Sequence, residues 1–334
     1  MLITITGAYK NAGDHLIGLR ARRLLELYVD DEIINVDRKS AIDYKLLNSA
    51  KAVVLTGGPA LQPAIHPNVY DLDLDKIHVP VVGFGLGWKA SLGKSPEDFE
   101  FTEQSLSFLG QLKTSLFSVR DDASFELLKN LGFENLTMTG CPAWYDPEKI
   151  DDDFKVPEQV SSIVLTAPAV PNEQMVDLAR SLSKRYPKAV KTILFQAGFR
   201  STHSKKSVQY TKTLAWQRRF LRLLGWKAVS SESDVEIMTK TLAAADMHVG
   251  YRVHSHLFML SQRKLSVLIA EDARGESQNK TLGRPNLTTK SQVSEIIESI
   301  ESFRTNQDEQ NKLSSSMREH FLEMKKFLES LKSL

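Results

Sequence analysis

One pattern restricts the fold of this chain more than any other. A short, continuous apolar run ends at glycine or a polar turn, a helical pattern follows, and the unit repeats. Leu2 to Thr6 opens the chain, followed by a loop carrying Asn11, Gly13 and Asp14. An amphipathic helix comes next, from about His15 to Leu27, with Leu16, Leu19, Leu24 and Leu27 at helical spacing. KAVVLTGG ends in Gly57 and Gly58, and VPVVGFGLG ends in alternating glycines that include Gly85. TSLFSVRDDASFELLKNLG reads as strand, turn and helix, with Asp121 or Asp122 at the N-cap and Gly132 closing the helix. Strands that are apolar throughout, without alternation, are buried on both faces, the condition of a parallel sheet covered by helices. SSIVLTAP, AVKTILFQAG, DMHVGY and LSVLIAED repeat the unit in the second half. Residues 140–159, rich in proline and aspartate, read as a linker. The expectation is α/β, with two Rossmann-like doubly wound domains facing across a cleft: residues 1–145, residues 160–310, and a closing helix over 311–334. In that last segment, from Ser314 on, Ser316 and Glu319 read as a capping box, and Phe321, Met324, Phe327, Leu328 and Leu331 as one apolar stripe.

Charge then excludes several function classes. Lys+Arg of 43 against Asp+Glu of 41 leaves +2, so no global field draws nucleic acid, and anion binding must be local. The single cysteine, Cys141, rules out an intrachain disulfide framework and suits a reducing compartment. The opening residues do not resemble a secretory signal, and no run of about 18 apolar residues occurs. A cytoplasmic protein is expected.

In open parallel sheets ligands collect at the carboxyl ends of strands, where backbone N–H groups and helix N-termini are presented. The unusual residues fall at such ends: the Asn11-Gly13-Asp14 loop, Gly58 ahead of PALQPAIHPNVYD with His66, Gly85, Arg120, the stretch from Gly198 through Arg200 to His203, Tyr251 to His256, and Glu271 to Gly275. DMHVGYRVHSHLFML holds three histidines, yet His248, His254 and His256 lack an i, i+4 pair and a carboxylate at ligand spacing, so no metal site is expected. His248 reads as a strand residue and His256 as packed. Arg252 and His254 span a strand-to-helix turn. There an arginine can fork onto a carboxylate or phosphate and a histidine can meet an oxyanion or move a proton. A salt-bridged arginine and a capping histidine fit the spacing equally well.

Gly13-Asp14, Ser118-Val-Arg120-Asp121 and Arg252-Val-His254, in this order and each at a strand end, resemble the polysaccharide pyruvyl transferase family over roughly residues 1–285. The resemblance implies a two-domain fold similar to GT-B glycosyltransferases. It implies transfer of the pyruvyl group of phosphoenolpyruvate to two hydroxyls of a sugar as a ketal, in cell-surface glycan (exopolysaccharide) biosynthesis, without cofactor or metal. Arg120 and Arg252 would clamp the donor, with Asp14 as candidate base and His254 as candidate acid. Asn11, Gly13, Gly58, Gly85, His66, Arg200 and Glu271 complete the expected binding set. The first domain would take the acceptor, lipid-linked or nucleotide-linked, and the second the donor. The chain departs from the family pattern at His15, Trp88 and Cys141.

GFRSTHSKKSVQYTKTLAWQRRFLRLLGW carries Arg200, His203, Lys205, Lys206, Trp216, Arg218 and Arg219. Over about Thr211 to Leu224 the plain reading is a solvated helix face. The alternative is contact with a phosphorylated acceptor or with the inner face of a membrane. Two other functions stay open: a GT-B glycosyltransferase using a nucleotide sugar, with Glu271 on the ribose, and a non-catalytic partner in glycan assembly. Oligomeric state is open too, a homo-oligomer included.

Overall fold

A computed structural model describes residues 1–7, 11–200 and 207–334. In the first half, β1 (Leu2–Thr6), β2 (Ile33–Asp37), β3 (Ala52–Thr56), β4 (Val81–Leu86), β5 (Phe117–Val119) and β6 (Leu136–Met138) form one parallel sheet in the order β2-β1-β3-β4-β5-β6. In the second, β7 (Ser162–Thr166), β8 (Val190–Phe195), β9 (Trp226–Ser230), β10 (Met247–Gly250) and β11 (Leu265–Leu268) form another parallel sheet in the order β11-β10-β7-β8-β9. Every residue of β1 and β3 is buried, as their unbroken apolar runs require, whereas the edge strand β2 is only half-buried.

The strand orders fix where a ligand can lie. The order reverses between β1 and β3 in the first sheet and between β10 and β7 in the second. At such switch points neighbouring connections leave toward opposite faces and open a crevice beyond the strands' carboxyl ends. Gly7, the first turn of the helix that carries Asp14, and the Gly57-Gly58 turn flank one switch point. Ala167 and the Tyr251-Arg252 turn flank the other.

Three sequence expectations are revised. The first helix runs Ala12–Tyr28 instead of starting near His15, because the Asn11 side chain caps it by accepting from Gly13 N at 3.0 Å. Gly13 and Asp14 therefore lie inside the first helical turn. Residues 140–159 are not a loose linker: Cys141, Trp144 and Tyr145 are fully buried, and Trp144 Nε1 donates to Gln278 Oε1 at 2.7 Å. Aromatic side chains in the crossover fill the junction between the sheets. The closing helix begins at Gln307 and reaches Ser330, capped by Asn306, so Ser316 and Glu319 sit in mid-helix and form no capping box. This helix returns to the first half, stacking Phe327 on Phe84 at 5.6 Å and packing Phe321 on Tyr145 at 4.9 Å. One buried apolar core consequently runs through both halves.

Candidate active site

The first switch point places Asp14 between the ends of three strands. Its side chain lines a small hollow with Gly7 after β1, Arg38 after β2 and Gly58 after β3. Gly58 has φ +81°, a left-handed conformation that glycine adopts without strain, and a methyl added to it would stand 3.9 Å from Asp14 Oδ1. That oxygen is shut off from solvent and has no hydrogen-bond partner among the described residues. Burial raises the Asp14 pKa above the ordinary carboxylate value, against the opposing pull of Arg38, Arg274, Arg120 and Lys89.

The second switch point carries Arg252 and His254. Arg252 is the N-cap residue of the helix Val253–Ser261, and its Nε donates to Ala167 O, just past β7, at 2.9 Å. Its Nη1 stands 3.8 Å from Oε2 of Glu271, which lines the cleft between the halves, and the side chain keeps 21% exposure. Glu271 is fixed in turn by Ala169 N, which donates to its Oε1 at 2.6 Å, and burial raises its pKa. His254 lies in the first turn of the helix, 8% exposed, with no partner on Nε2 among the described residues. Its pKa is pushed down to about 3, first by burial and then by Arg120, Arg274 and Arg252. The imidazole is neutral at ordinary pH.

The two switch points touch. A Cβ built on Gly13 would lie 2.0 Å from His254 Nδ1, so only glycine lets the first turn of one half sit on the imidazole of the other. Asp14, one residue on, and His254 share the field of two guanidinium groups, those of Arg120 and Arg274. An adjoining cleft of about 780 Å³ opens between the halves, its lining including Gln62, Lys89, Lys94, Phe99, Glu271 and Asp272.

A family model for polysaccharide pyruvyl transferase matches residues 11–272, from the cap of the first helix to the acids after β11. The chain belongs to the polysaccharide pyruvyl transferase family. No curated protein matches it in sequence. Among solved structures it is similar to S. aureus MnaA in complex with UDP, at TM-score 0.54 and 12% identity over 94% of this chain and 90% of that one. It is also similar to the UDP-GlcNAc 2-epimerase of Neisseria meningitidis bound to UDP-GlcNAc, at TM-score 0.52 and 10% identity over 99% and 98%. At such identity the likeness concerns fold alone: two Rossmann-like halves in a GT-B-like arrangement.

Not every sequence-expected residue of this pyruvyl transferase family member reaches the cleft as a ligand would require. Arg120 is 1% exposed and tied down: its Nε donates to Asp121 Oδ2 at 3.3 Å and its Nη2 to Trp88 O at 3.3 Å. Asp121 also caps the helix Asp122–Asn130 and accepts from Gln278 Nε2 at 3.1 Å. Arg120 therefore contributes charge at Asp14 and His254 and is not a mobile clamp. His66 serves its own loop, with Nδ1 3.1 Å from Tyr70 O and its ring stacked on Phe108 at 5.5 Å. Gly85, inside β4 at φ +64°, lets the strand pass Pro142, whose Cδ would be 2.5 Å from an added Cβ. Its role is packing. Asn11 is spent as the helix cap. Arg200 is exposed, and His203, Lys205 and Lys206 lie outside the described residues. The sequence reading missed Arg38, which follows edge strand β2, and Arg274, which grips Asp272 through Nε at 2.9 and 3.0 Å and through Nη2 at 2.5 Å.

The other two histidines of DMHVGYRVHSHLFML are structural. His248 bonds Thr166 Oγ1 through Nε2 at 3.0 Å and Ser266 Oγ through Nδ1 at 2.8 Å, and His256 Nδ1 shares that hydroxyl at 2.8 Å. Burial pushes the His248 pKa down to about 3 and that of His256 well below 6.5. Above pH 6.5 the folded and unfolded chains both hold these rings, and that of His254, neutral. Below it the unfolded chain takes up protons that the folded one refuses, so stability falls as pH falls. The urea midpoint is expected to be level above pH 7 and to drop between pH 6.5 and 5, by up to about tenfold in the unfolding constant per pH unit for each histidine. A midpoint unchanged across that window contradicts the burial of these rings.

Proposed function

We propose that this family member transfers the pyruvyl group of phosphoenolpyruvate to two hydroxyls of one sugar, forming a ketal and releasing phosphate for cell-surface glycan synthesis. The observation that carries the reading is the contact between the two switch points. Arg120 and Arg274 exert their charge on both Asp14 and His254, Arg38 on the first and Arg252 on the second, and Asp14 Oδ1 and His254 Nε2 are buried without a partner among the described residues. Such a site favours a small, multiply charged anion over a neutral metabolite. The second half then holds the donor and the first half the acceptor. The buried thiol Cys141 suits a reducing cytoplasm, where phosphoenolpyruvate is made.

The proposed roles are the reverse of those expected from sequence. Burial favours the uncharged form of both groups, so Asp14 is assigned the proton to donate and His254, a weak base, the lone pair that takes the acidic proton of the adduct. Asp14 protonates C3 of the donor, which becomes a methyl, and C2 becomes electrophilic. A sugar hydroxyl attacks C2 and passes its proton to His254. Attack by the second hydroxyl expels phosphate, which leaves with that hydroxyl's proton, and the ketal closes. Arg252 holds the donor carboxylate in place of its long contact to Glu271, while the neighbouring guanidiniums stabilise charge gathering on the phosphate.

A nucleotide-sugar glycosyltransferase is the second reading, supported by the UDP and UDP-GlcNAc bound to the two structural neighbours and by Glu271 at a strand end suited to a ribose. The deciding experiment incubates the protein with phosphoenolpyruvate and a panel of lipid-linked and nucleotide-linked sugars. It scores free phosphate together with a mass gain of one pyruvyl ketal. Tight binding of a nucleotide sugar with no phosphoenolpyruvate binding supports the second reading. Binding of glycan with no turnover of either donor points to a non-catalytic partner.

A further inference from the structure

The helix Ser207–Leu223 presents a face that its own half does not use. Leu214, Gln217 and Leu221 point inward and are buried, with Gln217 Nε2 donating to Asn172 O at 2.7 Å. The opposite stripe, at three- and four-residue spacing, runs Val208, Lys212, Trp216, Arg219, Arg222 and Leu223, and all of these are exposed. Val208 is 70% exposed, Trp216 59% and Leu223 81%, and one of them stands at each end of the stripe and one in the middle. The cations lie between them. No acidic residue occurs anywhere in the helix, in a protein whose net charge is only +2.

Scattered exposed apolar residues are ordinary. Here three large ones share a line about 22 Å long, at 1.5 Å rise per residue, with cations interleaved. The surroundings hold the stripe's geometry. Trp216 stacks on Phe220 at 5.7 Å, and the Arg180 guanidinium covers Phe220 at 4.7 Å. Arg218 is withdrawn from the stripe onto the Phe199 ring at 4.3 Å. A rigid helix lying flat, with apolar side chains to enter the acyl boundary and arginines to meet phosphates, suits an anionic bilayer surface. Among the described residues no helix is long and apolar enough to cross a membrane, so contact through this helix would be peripheral.

We infer that the Ser207–Leu223 helix is a docking surface for anionic lipid membranes, inserting Val208, Trp216 and Leu223 while Lys212, Arg219 and Arg222 meet headgroups. The inference stands apart from the reaction proposed above and is tested without donor or acceptor, so either can fail alone.

The tryptophans provide a selective probe. Of the four in the chain, Trp88, Trp144 and Trp226 are buried, and Trp216 alone is exposed. Mixed with vesicles of phosphatidylglycerol and phosphatidylcholine, the full chain should co-sediment and its emission should shift to the blue. Neither effect should appear with phosphatidylcholine alone, and both should weaken with salt. Arg219→Glu/Arg222→Glu should cut anionic partitioning at least about tenfold at unchanged melting temperature. Trp216→Phe should keep sedimentation and remove the spectral shift. No sedimentation at low salt, or sedimentation indifferent to the charge reversal, overturns the inference. So does equal affinity for duplex DNA without a blue shift, which marks a general polyanion patch.

Discussion

Arg252→Lys is expected to lower kcat/KM for ketal formation by at least about a hundredfold while the melting temperature stays close to that of the parent. The arginine does two things at once. Its Nε is tied to Ala167 O across the second switch point, and its Nη1 has only a 3.8 Å contact to Glu271, a residue of the cleft. A lysine supplies one compact ammonium, which can satisfy the carbonyl or meet the donor carboxylate but cannot fork between them. Loss of one well-placed, charge-assisted contact that strengthens toward the transition state is worth roughly 3 kcal/mol, about a hundredfold in rate. The fold should tolerate the change because the partly exposed head group is the part altered and the aliphatic stem survives. Steady-state phosphate release and calorimetric titration with phosphoenolpyruvate would check it. Near-parental values for both would mean that Arg252 only laces two loops together, and the donor would then have to bind elsewhere.

What was legible in the sequence follows from burial. β1, β3, β4, β7, β10 and β11 are central or apolar enough to read as continuous runs, and their glycine or polar ends drew attention to the residues around them, although Gly85 lies inside β4 and Gly13 and Asp14 inside the first helix. The edge strands β2 and β9 and the short β6 carry mixed, half-buried residues and give no such signal. Arg38 went unnoticed for that reason, because a residue is recognised as a strand end only if its strand is seen. Arg274 lay within the stretch from Glu271 to Gly275 but was not singled out, because nothing in the sequence shows that its charge reaches Asp14 and His254. His66, on a proline-bracketed loop, has the local look of a ligand residue, and only the carbonyl of Tyr70 and the ring of Phe108 show that its capacity is used. The approach of Gly13 to His254 could not be read at all. It depends on strand order, because only the order reveals that both residues lie at reversal points and that the reversal points face each other. The protonation preferences of Asp14 and His254 depend on burial in that junction, which is why the roles expected of them were exchanged.

Gly13→Ala isolates that junction. The residue lies in the first turn of the helix Ala12–Tyr28, with no left-handed φ to relieve, so intrinsic propensity alone would make alanine better there by about 1 kcal/mol. The added methyl would instead fall 2.0 Å from His254 Nδ1 and 2.6 Å from its Cγ. The imidazole is buried, held close to its own helix, and cannot swing aside as the tip of a long side chain could. Either the ring or the helical turn must move, at a cost of about 1–3 kcal/mol in stability. A displacement near 1 Å at the proposed proton acceptor should also cost about a hundredfold in rate. The decisive comparison is a double-mutant cycle. In a His254→Ala background the obstacle is gone, so adding Gly13→Ala should cost nothing and should show the small propensity gain, a change of sign read directly in urea midpoints. If Gly13→Ala is harmless in the parent, or equally harmful with and without the ring, the two halves do not meet through this pair. The charge field assigned to Asp14 and His254 would then lose its geometric basis.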